Sequence, residues 1–435
     1  MKKYLFVLLC FCFKFGQAQN FNDGVLNYTI IDTENKYVSV AKYNTCPTGA
    51  LTIPETILDN EITYTITSLS KDAFRWCGNL TSVSIPDSVM RIGSSAFSDC
   101  SSLLSVSIPD SVISIGSSTF YRCSSLISIS IPDGVTSIEE STFKSCSSLL
   151  SVSIPDGVTS IESGTFAGCL KLTSVSIPTA VTRIGSYAFQ GCYSLANVSI
   201  PDDVISIERF SFAGCSSLTN ISIPVGVIRI EYSTFSGCSN LLSVSIPEGV
   251  TSIESRAFEG CSSLTNVSIP AAINSIKEGV FADCSSLLSV SIPEGVTSIE
   301  SRAFKNCSSL LSVSIPTSVL SIGSSAFADC SNLLSVSIPE SVISIVDYAF
   351  ARCSSLTNVT IPGSVKSIGD YAFSNCLNLI SVVVNCQIPL AISSIDFEGV
   401  TLGNIALTVP KGTKGDYELA GVWKEFKSIT EADIN

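Results

Sequence analysis

The chain has 435 residues, too many for one ordinary compact domain but suited to one elongated repeat domain. Charged residues make up 14% where about 25% is usual, and the 45% hydrophobic content argues against disorder. The net charge of −13 disfavours a polyanion such as nucleic acid as partner, and the absence of histidine excludes Ser-His-Asp and Cys-His catalysis, imidazole metal ligands and histidine pH switches.

Residues 1–18 predict a secretory signal peptide. Lys2 and Lys3 give a positive start, a ten-residue apolar run spans 4–13, and Gly16 and Ala18 supply the small residues of a cleavage site before Gln19. Ten apolar residues are too few to span a bilayer. Cys10 and Cys12 are poor lipidation sites, because Leu9 and Phe11 are too large for the position before a lipidated cysteine. Removing Lys2, Lys3 and Lys14 leaves 24 − 3 = 21 basic against 37 acidic residues, a mature charge of −16. No later segment predicts a membrane span.

Residues 19–79 predict an N-terminal cap with a first irregular repeat. The segments 27–30 and 37–40 form a hairpin across Asp32 to Asn35, and Leu51, Ile53 and Pro54 mark a first strand. The next coil is nine residues longer than the repeat that follows, with the excess around Asp59, Asn60 and Glu61 as a tip. Ile66, Leu69, Phe74 and Cys77 then fall into register.

Residues 80–378 carry thirteen units of 23 residues. Proline recurs thirteen times from Pro86 to Pro362; phenylalanine from Phe74, cysteine from Cys77 and leucine from Leu80 each recur fourteen times at the same interval. Such a period predicts a β-rich solenoid, a right-handed superhelix with parallel strands on one face. In the unit 103–125, Val106 and Ile108 alternate with Ser105 and Ser107 as a half-buried strand does. Pro109 lacks a ladder donor and ends the strand, and a type I turn with proline second is expected. Val112 and Ile115 return along a second face, and Phe120 and Cys123 close the coil from inside. Seven inward side chains cannot order 23 backbones alone, so each coil needs its neighbours and the ends need covers.

Residues 379–435 predict irregular last repeats and a C-terminal cap. Val382 to Val384 replace the usual strand, Leu407 to Pro410 supply a last strand, and Tyr417, Trp423, Phe426 and Ile429 seal the core on a short helix.

The unit L-x-x-V-x-I-P-x-x-V-x-x-I-G-x-x-A-F-x-x-C, followed from Leu333 to Cys353 except that Val346 stands in the glycine place, resembles the BspA-like leucine-rich repeat family. Val409 to Gly412 and Trp423 to Phe426 resemble the end segments of its bacterial members. The resemblance spans roughly residues 50 to 430. It implies a leucine-rich repeat fold and an exported or surface protein, in some members adhesive, with no catalytic motif and no binding residue to transfer by position.

The outward strand positions are the candidate ligand-binding face: Ser105, Ser107, Ser128, Ser130, Ser151, Ser153, Ser174, Ser176, Asn197, Ser199, Asn220, Ser222, Ser243 and Ser245. They predict a flat, uncharged hydroxyl surface that docks an extended partner through many weak hydrogen bonds. Serine drifting with repeat duplication produces the same columns, and ice binding would ask for threonine methyls as well. The cysteine column is expected to be buried thiols, since a spacing of 23 is no zinc signature and parallel Cβ vectors hold neighbouring sulfurs apart; export leaves disulfides open. Acids follow the proline in eight coils, from Asp87 to Glu340, and a partial second column runs from Glu139 to Glu300. Stacked carboxylates can hold calcium or act as an acid/base pair, but these read as solvated turn residues. Sequons such as Asn197-Val-Ser read as by-products of the strand pattern.

The expectation is therefore a non-catalytic, monomeric protein, secreted or on the cell surface. It binds an extracellular protein or glycan through the strand face and needs no cofactor or metal. A structural spacer without a ligand, and a glycan-active enzyme built on a clustered Asp/Glu cleft, are the alternatives.

Overall fold

The structure, a computed structural model, describes residues 20–42 and 45–433; the signal-peptide reading at 1–18 lies outside these. The chain winds into a parallel-strand β-solenoid of about 16 turns. On one face three-residue strands stack in register, as Ser128 beside Ser151, Ile129 beside Val152 and Ser130 beside Ser153. The alternation is physical: in each such strand the middle Val or Ile turns inward while the flanking Ser or Asn faces water. On a second face two-residue strands such as Ser114–Ile115 repeat the arrangement, with Ile115 beside Ile92.

The proline turn departs from expectation. The closing bond runs from Val112 N to Pro109 O at 3.1 Å, so proline stands first in the turn rather than second. Its carbonyl accepts the closing bond, while its missing N–H ends the strand ladder. The Ser111 hydroxyl then donates to Val89 O at 2.8 Å, tying the turn to the coil before it.

Between the faces the coil closes through tight turns that hold Phe and Cys inside. The rings from Phe74 to Phe397 form one unbroken stack with centroids 5.3–5.7 Å apart. That stack threads a single hydrophobic core along the whole molecule. Each column cysteine from Cys100 to Cys376 donates its S–H to the carbonyl of the phenylalanine 26 residues earlier, at 3.1–3.3 Å. A small side chain that packs as a hydrocarbon and still offers a donor suits this place in every coil.

At the N-terminal end strand Asn27–Asp32 pairs antiparallel with Tyr37–Val40, and Tyr37–Val40 pairs parallel with Ile62–Leu69. Strand Thr56–Asp59 pairs antiparallel with Ile62–Leu69 through Asn60 and Glu61, both at positive φ (47° and 66°), which is the tip expected there. Cys77, expected among the buried thiols, is instead bonded to Cys46 with Cα atoms 5.1 Å apart. It is the first of its column, so Cys46 takes the side where a preceding coil would otherwise stand. The thirteen later column cysteines and Cys386 are free and buried.

The C-terminal end needs a second correction. Strand Ala406–Pro410 is not the last: Ser428–Ala432 pairs parallel beyond it and carries Ile429. The helix Lys414–Leu419 contributes Tyr417, and a 3-10 turn, Val422–Glu425, contributes Trp423. Two sealing groups are amphipathic rings whose polar ends find carbonyls: Tyr417 Oη donates to Cys386 O and Trp423 Nε1 to Leu390 O, each at 2.8 Å. Among the described residues no helix is long and apolar enough to cross a membrane.

Candidate binding face

All fourteen strand-face residues singled out from the sequence are exposed, and the parallel register sets them in two columns. Their inward neighbours are buried or nearly so, which anchors the backbone beneath them. Few of the side chains bond to each other: Ser243 Oγ donates to Asn220 Oδ1 at 2.9 Å, and Ser289 Oγ to Asn266 Oδ1 at 3.4 Å. The columns hold no ionisable group, so the face keeps its hydrogen-bonding capacity free and uncharged at any pH.

One feature of this face was passed over in the sequence. The position just before the first hydroxyl column carries Leu or Ile in eight of fourteen coils, and these side chains are exposed: Leu104, Ile127, Leu150, Leu242, Leu288, Leu311, Leu334 and Ile380. Their backbones belong to the ladder, as where Leu150 N donates to Ile127 O at 2.9 Å. An aliphatic rail thus runs beside the hydroxyl columns. Periodicity alone marks it, since a position that is neither core nor turn has no structural need of leucine.

The acids separate into two kinds. Those after the proline are exposed. Four of the second column are bound up with cations: Arg183 bridges Glu162 and Glu208, Arg229 and Lys277 both reach Glu254, and Arg229 also lies near Glu231, while Glu139 and Glu300 accept hydrogen bonds from Ser137 and Ser275. At Glu254 burial pushes the carboxyl up, but hydrogen bonds from Lys277 and Ser252 outweigh it and hold it below its ordinary value. No cluster of three or more His, Cys, Asp or Glu suited to a metal occurs among the described residues. The column thiols are removed from chemistry by burial, which pushes Cys192 and Cys238 up to about 12.

Three comparisons bear on this arrangement. The model of BspA type leucine rich repeat regions matches in 6 copies, over residues 67–196, 182–310 and 274–400. A leucine-rich repeat protein from Bacteroides ovatus is 27% identical with TM-score 0.63, over 94% of this chain and 100% of its own. A leucine rich cell surface protein from Faecalibacterium prausnitzii is 26% identical with TM-score 0.47, over 96% of each chain. A leucine-rich repeat protein from Eubacterium ventriosum is 21% identical with TM-score 0.45, over 83% of this chain and 95% of its own. No functionally curated protein matches.

Proposed function

For a chain that belongs to the BspA-type leucine-rich repeat family, we propose an exported, non-catalytic protein that binds an extended protein or glycan on another cell or on host matrix through its strand face. Family membership supports a non-enzymatic repeat protein. The leader-like residues 1–18 support export. The observation that carries the binding reading is the uncharged double column of hydroxyl and amide side chains, flanked by an exposed aliphatic rail on one continuous rigid frame. An extended ligand lying across the strands meets like donors and acceptors in coil after coil, with apolar contacts in the eight coils that carry the rail, so weak contacts add without new conformational cost in the protein.

The test is an array of matrix proteins and cell-surface glycans probed with the chain from Gln19 onward. A ligand is expected, and its binding is expected to fall at least about tenfold, a loss of 1.4 kcal/mol or more, when Ser151, Ser153, Ser174 and Ser176 are all changed to Lys. Binding that survives this change moves the site off the strand face. An array with no ligand favours a structural spacer.

A further inference from the structure

In a repeat array the informative positions are those where one stretch departs from its own columns. The residue two places after each column phenylalanine lies in the left-handed region, with φ 61° at Asp99, 58° at Arg122, 61° at Asn306 and 58° at Asn375. Five consecutive coils place glycine there: Gly168, Gly191, Gly214, Gly237 and Gly260. Left-handed backbone favours glycine, but the other coils manage with Asp, Asn, Arg, Ser or Trp, so conformation alone does not require it. Five missing side chains in a row leave a trench about 19 Å long at the usual strand spacing.

The side chains around the trench break pattern too. The residue after the column cysteine is serine at Ser101, Ser124, Ser147 and Ser216, but Leu170 and Tyr193 stand there beside the glycines. Tyr193 is 54% exposed, and its Cε1 lies 3.6 Å from where a Gly214 Cβ would be. Phe210 lines the same hollow, stacked on Tyr187 at 4.9 Å. The hollow measures about 520 Å³, within the range of small-ligand sites. A second one, about 550 Å³, shares Ser145, Gly168 and Leu170 with it and continues to Arg122. In a chain of net charge −13, the only carboxylate lining either hollow is Asp99, which pairs with Arg122 at 3.7 Å. Lys144 lines the first hollow and belongs to no ion pair among the described residues.

We propose that this trench, apart from the strand face, binds a linear glycan bearing carboxylates. Sugar C–H faces rest on the exposed ring of Tyr193, beside Phe210, which is itself packed against Tyr187 and Tyr232; sugar hydroxyls reach Gln190 and Ser145, and carboxylates reach Lys144 and Arg122. A trench open along its length takes a chain rather than a single sugar. Lys144, unpaired among the described residues, and the scarcity of carboxylates lining the two hollows favour a polyacid here over the acidic stretches of the surface.

The test is calorimetric titration of the protein from Gln19 onward with oligogalacturonate and with its fully methyl-esterified, uncharged form. The acidic oligomer is expected to bind, more weakly as salt rises, and the ester at least about tenfold less well. Tyr193→Ser, which restores the column residue, is expected to lower affinity at least about tenfold; Lys144→Gln is expected to lower it and to reduce the salt dependence. The double variant Gly191→Asn, Gly214→Asn refills the trench with a residue that Asn306 and Asn375 show this backbone accepts, and it is expected to abolish binding while unfolding as the parent does. Lysine at Ser151, Ser153, Ser174 and Ser176 leaves this binding intact, which separates the trench from the strand face. No binding of the acidic oligomer, equal binding of the ester, or full binding by Tyr193→Ser overturns the proposal.

Discussion

At the residue scale two columns do most of the holding, and each makes a measurable claim. Phe212 lies between Phe189 and Phe235 at 5.3 and 5.7 Å and is fully buried. Phe212→Ala is expected to cost about 3–5 kcal/mol, read as a drop in the urea unfolding midpoint. Cys215 donates to Phe189 O at 3.2 Å, so Cys215→Ala loses that bond and some packing, about 1–2 kcal/mol. The thiols also set an alkaline limit. Burial raises Cys192 and Cys238 from 9.0 to about 12, so they favour the fold only while protonated. That contribution is complete below the unfolded pKa of 9.0 and is lost as pH climbs through about 12. The unfolding midpoint is therefore expected to be level from about pH 6 to pH 8 and to fall above about pH 9, less steeply in a variant with several column cysteines changed to alanine. An equally steep fall in that variant would move the effect to other groups.

At the element scale the caps are where the repeat logic stops, and sequence reasoning was least complete there. The antiparallel hairpin and the tip at Asn60 and Glu61 were legible because alternation and turn residues are local signals. The Cys46–Cys77 bond was not, because Cys77 looks like every other member of its column and only its place at the open end gives it a different neighbour. Closing a loop across 31 residues is expected to contribute about 3–4 kcal/mol, so Cys46→Ala should lower the thermal midpoint, and reductant should lower the parent's to match. At the other end Ile429 looked like a helix residue because aromatic residues at near-helical spacing precede it. In the structure the exposed edge of Ala406–Pro410 takes one more strand. A chain ending before residue 428 exposes that edge and is expected to self-associate, measurable by light scattering.

At the scale of the whole molecule stability is shared between neighbouring coils rather than concentrated in a centre. Removing one whole unit, residues 253–275, brings like residues together again, because Ser252 is then followed by Ile276, the residue equivalent to Ile253 one period on. Such a deletion is expected to keep circular dichroism per residue and shorten the particle by about 5 Å in solution scattering. Removing about half a unit puts core residues on the outside and should prevent folding. A half-unit deletion that folds as well as the whole-unit one would contradict the stacked-coil account.

By itself the sequence determined the coil: a 23-residue recurrence of Pro, Phe, Cys and Leu permits one inward set, and a set too small to fold alone must stack. It also determined the hydroxyl face, because strand alternation decides which side chains point out. Tertiary structure alone decided what varies along the rod. Tyr193, Phe210, Lys144 and the corner glycines Gly168, Gly191 and Gly214 are far apart in the chain and unremarked within their own units, and they line one hollow only when coils about 5 Å apart are laid side by side. The same holds for Cys46. A local pattern reports the direction of a side chain, whereas its neighbours are set by the pitch of the coil.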